Sequence, residues 1–558
     1  MNASLLNALS AAISDNPVHV LQLRKIVVAL AISGRLNEVD GSMGHEEILA
    51  LLGDVKRRLI SQRVLAKQKP IVAITPDQLP EDFTDPSKFI SLGHIARVEK
   101  GKTGIQQAKP GPYPLVVTAA ERITADHYDF DGAAAIIPLV SSTGHGNASI
   151  NRLHYQEGKF SLGTILAAVL PHDQALFSAR FLFEYLSAFK EELLVSRMTG
   201  TANVTLTLGR IEEVPIPLVS PAIQQQVDQL MALCDEMDAA RTQRETKRDR
   251  LAVASLARLN APDPETFRDD ARFALDALPA LTTRPDQVKQ LRQTILNLAV
   301  RGKLVPQDPT DEPAAELLKL ISAEKVQLVH AKKLRRQKEL QPIDDNAIPF
   351  ELGEGWKWAK ADNVFLNITD GFHNTPSPVT DGYPYVTAKH IRPNKIDFEN
   401  CLYVDEKNHR DLFAKTRVKR GDILIVNIGA GCGTSAMVDV DYEFSFKNVA
   451  VVNMPSVMNG NFILIFLLYY RHLIFDDLIK GGAQPFLGLG MLKEMLVPLP
   501  PLAEQHRIVA KVDELMALCD QLETSLTSAD ETRKKLLDAL LAEALAPVHA
   551  EALQEAAE

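Results

Sequence analysis

At 558 residues the chain exceeds what one hydrophobic core of ordinary size organises, and its length points to roughly two to four domains. The 46% apolar and 24% charged content is that of a soluble globular protein, and no uncharged apolar run approaches the roughly 18 residues of a membrane span. The net charge of −10 excludes a broad basic face, yet residues 87–210 hold 12 Lys and Arg against 10 Asp and Glu, and residues 350–496 hold 15 against 17. The acidity therefore lies outside two nearly neutral stretches, each able to carry small basic patches.

The amino end shows no basic segment followed by an apolar one, so no secretion signal is read. Residues 1–86 are expected to be mainly helical. Within them Val20–Leu36 has helical apolar spacing and closes on Gly34, a residue suited to a helix C-terminus. The stretch returns 268 residues later as Val288–Leu304, matching at Gln22/Gln290, Leu23/Leu291, Arg24/Arg292, Leu30/Leu298, Ala31/Ala299, Gly34/Gly302 and Leu36/Leu304. A first globular domain is expected over 87–219, with strands at Tyr113–Thr118 and Ala133–Val140 and a helix at Phe177–Leu194. It ends in Val214-Pro215-Ile216-Pro217 and a long helix, 220–259. Residues 260–344 combine a proline-marked linker, Asn260–Gln287, which holds a short amphipathic stretch near Phe267–Leu278, with the repeated helical stretch; Gln341–Pro349 is a second linker. The second domain, 345–501, has expected strands at Tyr385–Thr387, Asp422–Val426 and Val449–Val452 and a helix at Asn461–Leu478. It closes on Val497-Pro498-Leu499-Pro500, followed by a long helix, 502–546, and a frayed tail, 547–558.

The order of helix, globular region, proline segment and long helix thus occurs twice. Val227–Asp235 recurs almost unchanged as Val512–Asp520, 285 residues on, and Gly163-Thr164-Ile165-Leu166 resembles Gly421-Asp422-Ile423-Leu424. Both long helices carry heptad stripes, Ile223, Val227, Leu230, Cys234, Met237 in one and Ile508, Val512, Leu515, Cys519, Leu522, Leu526 in the other. The expected fold is mixed α+β: two α/β domains in pseudo-twofold tandem repeat, separated by long antiparallel coiled-coil helices of about 36 residues, about 54 Å each.

Polar, Gly-rich loops interrupt both domains. The first offers Lys100, Lys102, Thr103, Gln106 and Gln107; Ser142, Thr143, His145 and Asn147; and Arg197, Thr199, Thr201 and Asn203. The second offers His373, Asn374 and Thr375; Lys389, His390 and Arg392; Lys447 and Asn448; and Lys480 and Gln484. These are the side-chain types that read base edges: Arg and Lys take guanine, Asn and Gln take adenine. Catalytic motifs do not form. Gly429-Ala430-Gly431-Cys432-Gly433 lacks the spacing of a nucleotide loop and reads as a strand-to-strand turn; Gly101-Lys102-Thr103 lacks the earlier glycine of a P-loop; His45-Glu46-Glu47-Ile48-Leu49 lacks a zincin's second histidine. The four cysteines form no Cys-x-x-Cys pair, so no metal site is expected and the thiols are read as reduced.

An ordered set of segments carries a family resemblance: Leu291-Arg292-Gln293-Thr294-Ile295-Leu296, Gly302-Lys303-Leu304-Val305-Pro306-Gln307-Asp308, Gly355-Trp356-Lys357-Trp358, Arg420-Gly421-Asp422-Ile423-Leu424 and Val497-Pro498-Leu499-Pro500-Pro501-Leu502-Ala503-Glu504-Gln505. In these the chain resembles, from about Val20 to Leu545, the specificity subunits of type I restriction-modification systems, in the branch with an extended amino-terminal helical region. The resemblance implies two target-recognition domains, each reading half of a split asymmetric DNA sequence, with the helices setting the spacer. It implies a non-catalytic cytoplasmic protein with no cofactor of its own. Two modification subunits would supply S-adenosylmethionine chemistry on adenine, and two restriction subunits ATP- and Mg2+-dependent translocation and cleavage. A self-contained methyltransferase and a coiled-coil adaptor that never touches DNA are the alternatives. The first domain departs from the family pattern: Asp85-Pro86-Ser87-Lys88-Phe89 stands where the second has its tryptophans, which leaves its starting point open.

Overall fold

A computed structural model describes residues 17–36, 42–63, 65, 73–143, 146–201, 203–260, 265–336, 341–372, 376–479 and 485–545. The chain divides into two compact units, Met1–Lys247 with Ser528–Glu558, and Arg248–Thr527. Among the described residues no helix is long and apolar enough to cross a membrane.

The first unit contains helices α1 (Pro17–Ile32), α2 (Ala179–Ala188) and most of α3 (Pro221–Asn260). Its strands are β1 (Ala96–Lys100), β2 (Tyr113–Val116), β3 (Ala134–Pro138), β4 (His154–Gln156), β5 (Lys159–Leu162) and β6 (Leu166–Pro171). One antiparallel sheet runs β1-β6-β3-β4; a second is built on the parallel pair β2 and β5. β3 and β6 read as unbroken apolar runs because both their faces are covered. Ala135, Ile137, Ala167 and Val169 join the core with α1, α2 and α3, whereas Ala134, Ile136, Leu166 and Ala168 meet Phe160 and Leu162 of the second sheet.

The second unit repeats the plan. It holds α4 (Pro285–Val300), α5 (Gly460–Ile479), most of α6 (Leu502–Leu545), and strands β7 (Asn367–Asp370), β8 (Tyr383–Thr387), β9 (Ile423–Val426), β10 (Ser435–Met437), β11 (Ser445–Lys447) and β12 (Val449–Asn453). The sheet order is β7-β12-β9-β10, and β8 and β11 form the parallel pair. Alternation is again two-sided: Ile423, Ile425, Ala450 and Val452 face one core, Leu424, Val426, Val449 and Val451 another.

This topology corrects two of the sequence pairings. β9 takes the place of β3, so Gly421 lies just ahead of the strand equivalent to β3, as Gly132 does; Gly163 precedes β6, where the second unit has Lys447 and Asn448. The short match Gly163–Leu166 with Gly421–Leu424 arose because a glycine and an apolar run open two different strands. The proline segments are likewise out of step by two residues. Leu92 donates to the Val214 carbonyl and Ala361 to that of Met495, both at 2.8 Å, so Val214 aligns with Met495. In that register Phe89 stands where the second domain has Trp358. The Phe83–Phe89 contact (5.7 Å) answers the Phe350–Trp358 contact (4.9 Å), so the first domain opens on an aromatic pair without tryptophan. The expected linker Asn260–Gln287 contains a helix, Phe267–Leu281.

The long helices, 40 and 44 residues, are about 60 and 66 Å long, somewhat more than expected. The heptad positions at their heads face their own units. Val227 and Met231 are buried with α1 and α2, and Ile223, Leu230 and Met237 pack on that core. Ile508, Val512 and Cys519 are buried with α4 and α5, and Leu515, Leu522 and Leu526 pack there. Their tails run to the other unit. Leu537 of α6 is buried in the first core, with Gln22 donating to Asp538 (2.7 Å); the tail of α3 enters the second, with Gln287 donating to Asp249 (3.0 Å) and Asn297 to Asn260 (2.8 Å).

A repeated arginine fixes each head. Arg24 of α1 reaches Met231 Sδ (3.7 Å), Asp235 and buried Glu184 (3.3 Å); Arg292 of α4 reaches Met516 Sδ (3.8 Å), Asp520 (2.6 Å) and Glu523 (3.1 Å). A repeated glutamine fixes each globular domain: Gln224 accepts from Ser178 N (2.8 Å), Gln505 from Asn459 N (3.2 Å). Gln224 and Met231 are seven residues apart, Gln505 and Met516 eleven. Four extra residues are one helical turn, so the second domain sits about 6 Å farther along its helix from the clamp than the first. Because Glu184 is 3% exposed and the partners of Arg292 are largely exposed, the clamps differ in strength. Arg24→Ala is expected to lower stability by about 2–3 kcal/mol, and Arg292→Ala by about 1 kcal/mol or less, in urea unfolding of the two single variants.

Candidate nucleic-acid interface

Strand register decides which loops share a surface. In the first domain Lys100 pairs with Ala167, and Pro138 with Leu166, so the exits of β1 and β3 and the entry to β6 lie at one end of the sheet. The segment after α2 is tied to that end: Ser141 N donates to Val204 O (3.0 Å) and Leu206 N to Leu139 O (2.9 Å). Lys100, Lys102, Gln106, Gln107, Ser142, Thr143, Asn147, Thr199, Thr201 and Asn203, scattered over more than a hundred positions, therefore gather on one exposed rim. Lys102 lies over the Phe130 ring at 5.6 Å, and Ser142 is held by Ser149 at 2.9 Å.

The second domain builds the same rim. Asp370 pairs with Ala450 and Val426 with Val449, and Leu487 N donates to Asn427 O (2.8 Å) as Leu206 does to Leu139. Gly429–Gly433 joins β9 to β10 there, the strand-to-strand turn expected. Lys447 and Asn448 lie at the entry to β12, and Thr387, paired with Lys447, leads into Lys389 and Arg392, both exposed. His145, His373, Asn374, Thr375, Lys480 and Gln484 lie outside the described residues.

Three expected base contacts are instead taken up by the fold. Thr103 is buried, donating to Asp129 (2.8 Å) beside His127 Nε2 (3.0 Å). Arg197 donates to the carbonyls of Glu192 (3.0 Å), Leu193 (2.9 Å) and Gln78 (3.1 Å), satisfying the end of a helical turn, and burial lowers its pKa. His390 is buried, its Nδ1 accepting from Thr387 N (2.9 Å); burial, then the neighbouring Lys389, hold it below the usual histidine range. A lone polar residue in a Gly-rich loop does not announce whether it faces inward. One basic residue was missed, Lys395, across a two-residue turn from Arg392. The segment Ile391-Arg392-Pro393-Asn394-Lys395-Ile396, mirror-like about a Pro-Asn turn, is a hairpin signal that was available. Among the described residues no group of three His, Cys, Asp or Glu converges as a metal site requires. All four cysteines are unpaired.

Residues 379–529 match the family model described as the type I restriction modification DNA specificity domain. Over nearly its whole length the chain is similar to two curated proteins of Escherichia coli. The type I restriction enzyme EcoAI specificity subunit is 27% identical over 556 residues, 93% of each chain. The EcoEI specificity subunit is 26% identical over 562 residues, 94% of each. Over most of its length the chain is thus similar to type I restriction enzyme specificity subunits. A chain from a solved structure titled for complex assembly and conformational transition of the type I R-M system covers 82% of this chain and 97% of its own, at 15% identity and a TM-score of 0.44, too loose an overlay to place residues.

Both rims rest on a close crossing of backbones. A Cβ at Gly101 would lie 2.2 Å from the Gly163 carbonyl oxygen, and one at Gly371 2.2 Å from that of Phe446. Gly371→Ala should therefore force the first and parallel-paired strands apart, lowering stability by about 1–3 kcal/mol in urea unfolding, whereas Gly209→Ala, where nothing lies within 4 Å, should leave the midpoint nearly unchanged.

Proposed function

We propose that the chain reads DNA sequence for a type I restriction-modification complex, each recognition domain presenting its rim to one half of a bipartite, asymmetric site. The observation that carries this reading is the recurrence of one topology with polar and basic loops at the same sheet end in both units. Phosphate contacts position such a rim and base-edge contacts specify. Among the exposed rim residues Gln106, Gln107, Asn147 and Asn203 suit adenine, while Lys100, Lys102, Lys389 and Arg392, with half-buried Lys447, suit guanine or phosphate. The long helices set the unread spacer and form the docking surface for two modification subunits, which bring S-adenosylmethionine, and two restriction subunits, which bring ATP and Mg2+ chemistry. The protein acts in the cytoplasm, where its DNA is.

Replacing residues 141–147 together with 199–203 by the equivalent loops of a relative with another specificity should change the bases methylated in one half-site and leave the other half and the spacer unaltered. Long-read methylome sequencing of cells carrying the chimera reads this directly. A change in both halves would contradict the division of labour between domains.

A further inference from the structure

The two rims differ in charge, and the difference has one source. Between β2 and β3 the first domain has residues 117–133, with Glu121, Asp126, Asp129 and Asp131 and a single cation, Arg122. Arg122 is turned inward to Gln156 (3.2 Å), His154 (3.2 Å) and the Tyr155 carbonyl (3.3 Å). Between β8 and β9 the second domain has residues 388–422, twice as long, and the added chain begins with the hairpin Ile391–Arg392 and Lys395–Ile396. No counterpart strand pair exists among the described residues of the first domain.

This hairpin is pinned at the rim. Asn394, in the left-handed region at φ 55, donates its N–H to Ser435 O (3.0 Å), and Ser435 pairs with Ile425, one residue from the end of β9. Buried Ile391 and Ile396 anchor it from below. Its exposed charged side chains are Arg392 and Lys395, directly opposite in register, with exposed Lys389 in the turn leading into it. Like charges facing each other across a strand pair destabilise it. Here nothing offsets that: among the described residues none of the three has a carboxylate within ion-pair distance, and the nearby Asp397 accepts instead from Asn400 Nδ2 (3.0 Å) and N (3.2 Å). Three exposed cations on a pinned backbone without a counter-charge, beside sheet-end loops, are arranged for an external polyanion.

We propose that the hairpin carrying Lys389, Arg392 and Lys395 grips the phosphate backbone of duplex DNA without reading sequence, making the second half-site contact the strongly salt-dependent one. This rests on the reading of the rims as DNA-binding surfaces. Each neutralised phosphate contributes about 0.9 to the slope of log binding constant against log salt concentration. For the full-length chain assembled with its modification subunits, Lys389→Gln, Arg392→Gln and Lys395→Gln together should reduce that slope by about 2.7 and leave the methylated sequence unchanged. Arg392→Lys alone should keep both slope and sequence, since a phosphate accepts either cation, whereas a guanine read bidentately by arginine would not. An unchanged slope in the triple variant, with bipartite protection intact in the wild type, overturns the hairpin assignment alone. Altered base selection in either variant overturns it too, making the hairpin a reader. Absence of any paired protected sites in the wild type overturns the DNA-binding reading with it.

Discussion

Each recognition domain is fixed by the packing of a short repeat helix against the head of a long one, with a single arginine setting the register. The apolar stripe of α3 or α6 buries against α1 or α4, and sliding by one turn would preserve much of that burial because the stripe is periodic. Arg24 and Arg292 remove the degeneracy, since each needs a methionine sulfur and a carboxylate at one specific turn. The nearly invariant match between Val227–Asp235 and Val512–Asp520 is the trace of that requirement. Outside the clamp the two halves have drifted by a full turn, as the glutamine anchors Gln224 and Gln505 show.

Once the domain is fixed, its sheet orients the loops. In an antiparallel order such as β1-β6-β3-β4 alternate strands leave from the same end, so segments far apart in sequence converge on one rim. A surface built this way can vary residue by residue while the buried strands beneath stay apolar on both faces. It also reconciles an acidic protein with a DNA-binding role. Lys389, Arg392 and Lys395 are exposed at the rim of the second domain without an ion pair among the described residues that a duplex would have to break.

Much of this was legible in the sequence. The duplication, the buried strands Ala134–Pro138 and Val449–Asn453 and the long helices follow from apolar period and self-similarity. What escaped were quantities set by tertiary register. Gly163 and Gly421 look alike locally but open different strands, and the proline segments match best two residues away from where hydrogen bonds align them. The heptad stripes suggested two helices facing each other; Leu537 of α6 does join Val227 and Met231 of α3 in one core, but the heads also pack on the short repeat helix of their own unit, because an apolar stripe does not name its partner. Of the candidate contacts, Thr103, Arg197 and His390 turned inward for the same reason: a polar side chain serves a carbonyl as readily as a base.

The central claim is that a duplex engages one end of the sheet in each of the two units. Hydrogen exchange of the assembled complex with and without cognate DNA tests it most directly. Slowed exchange is expected in 101–107, 139–143 and 199–201 of the first unit and in 388–396 and 427–434 of the second. The opposite sheet ends, around Glu157–Gly158 and Lys419–Gly421, should not change. Protection confined to one unit, or centred on those opposite ends, would contradict the account.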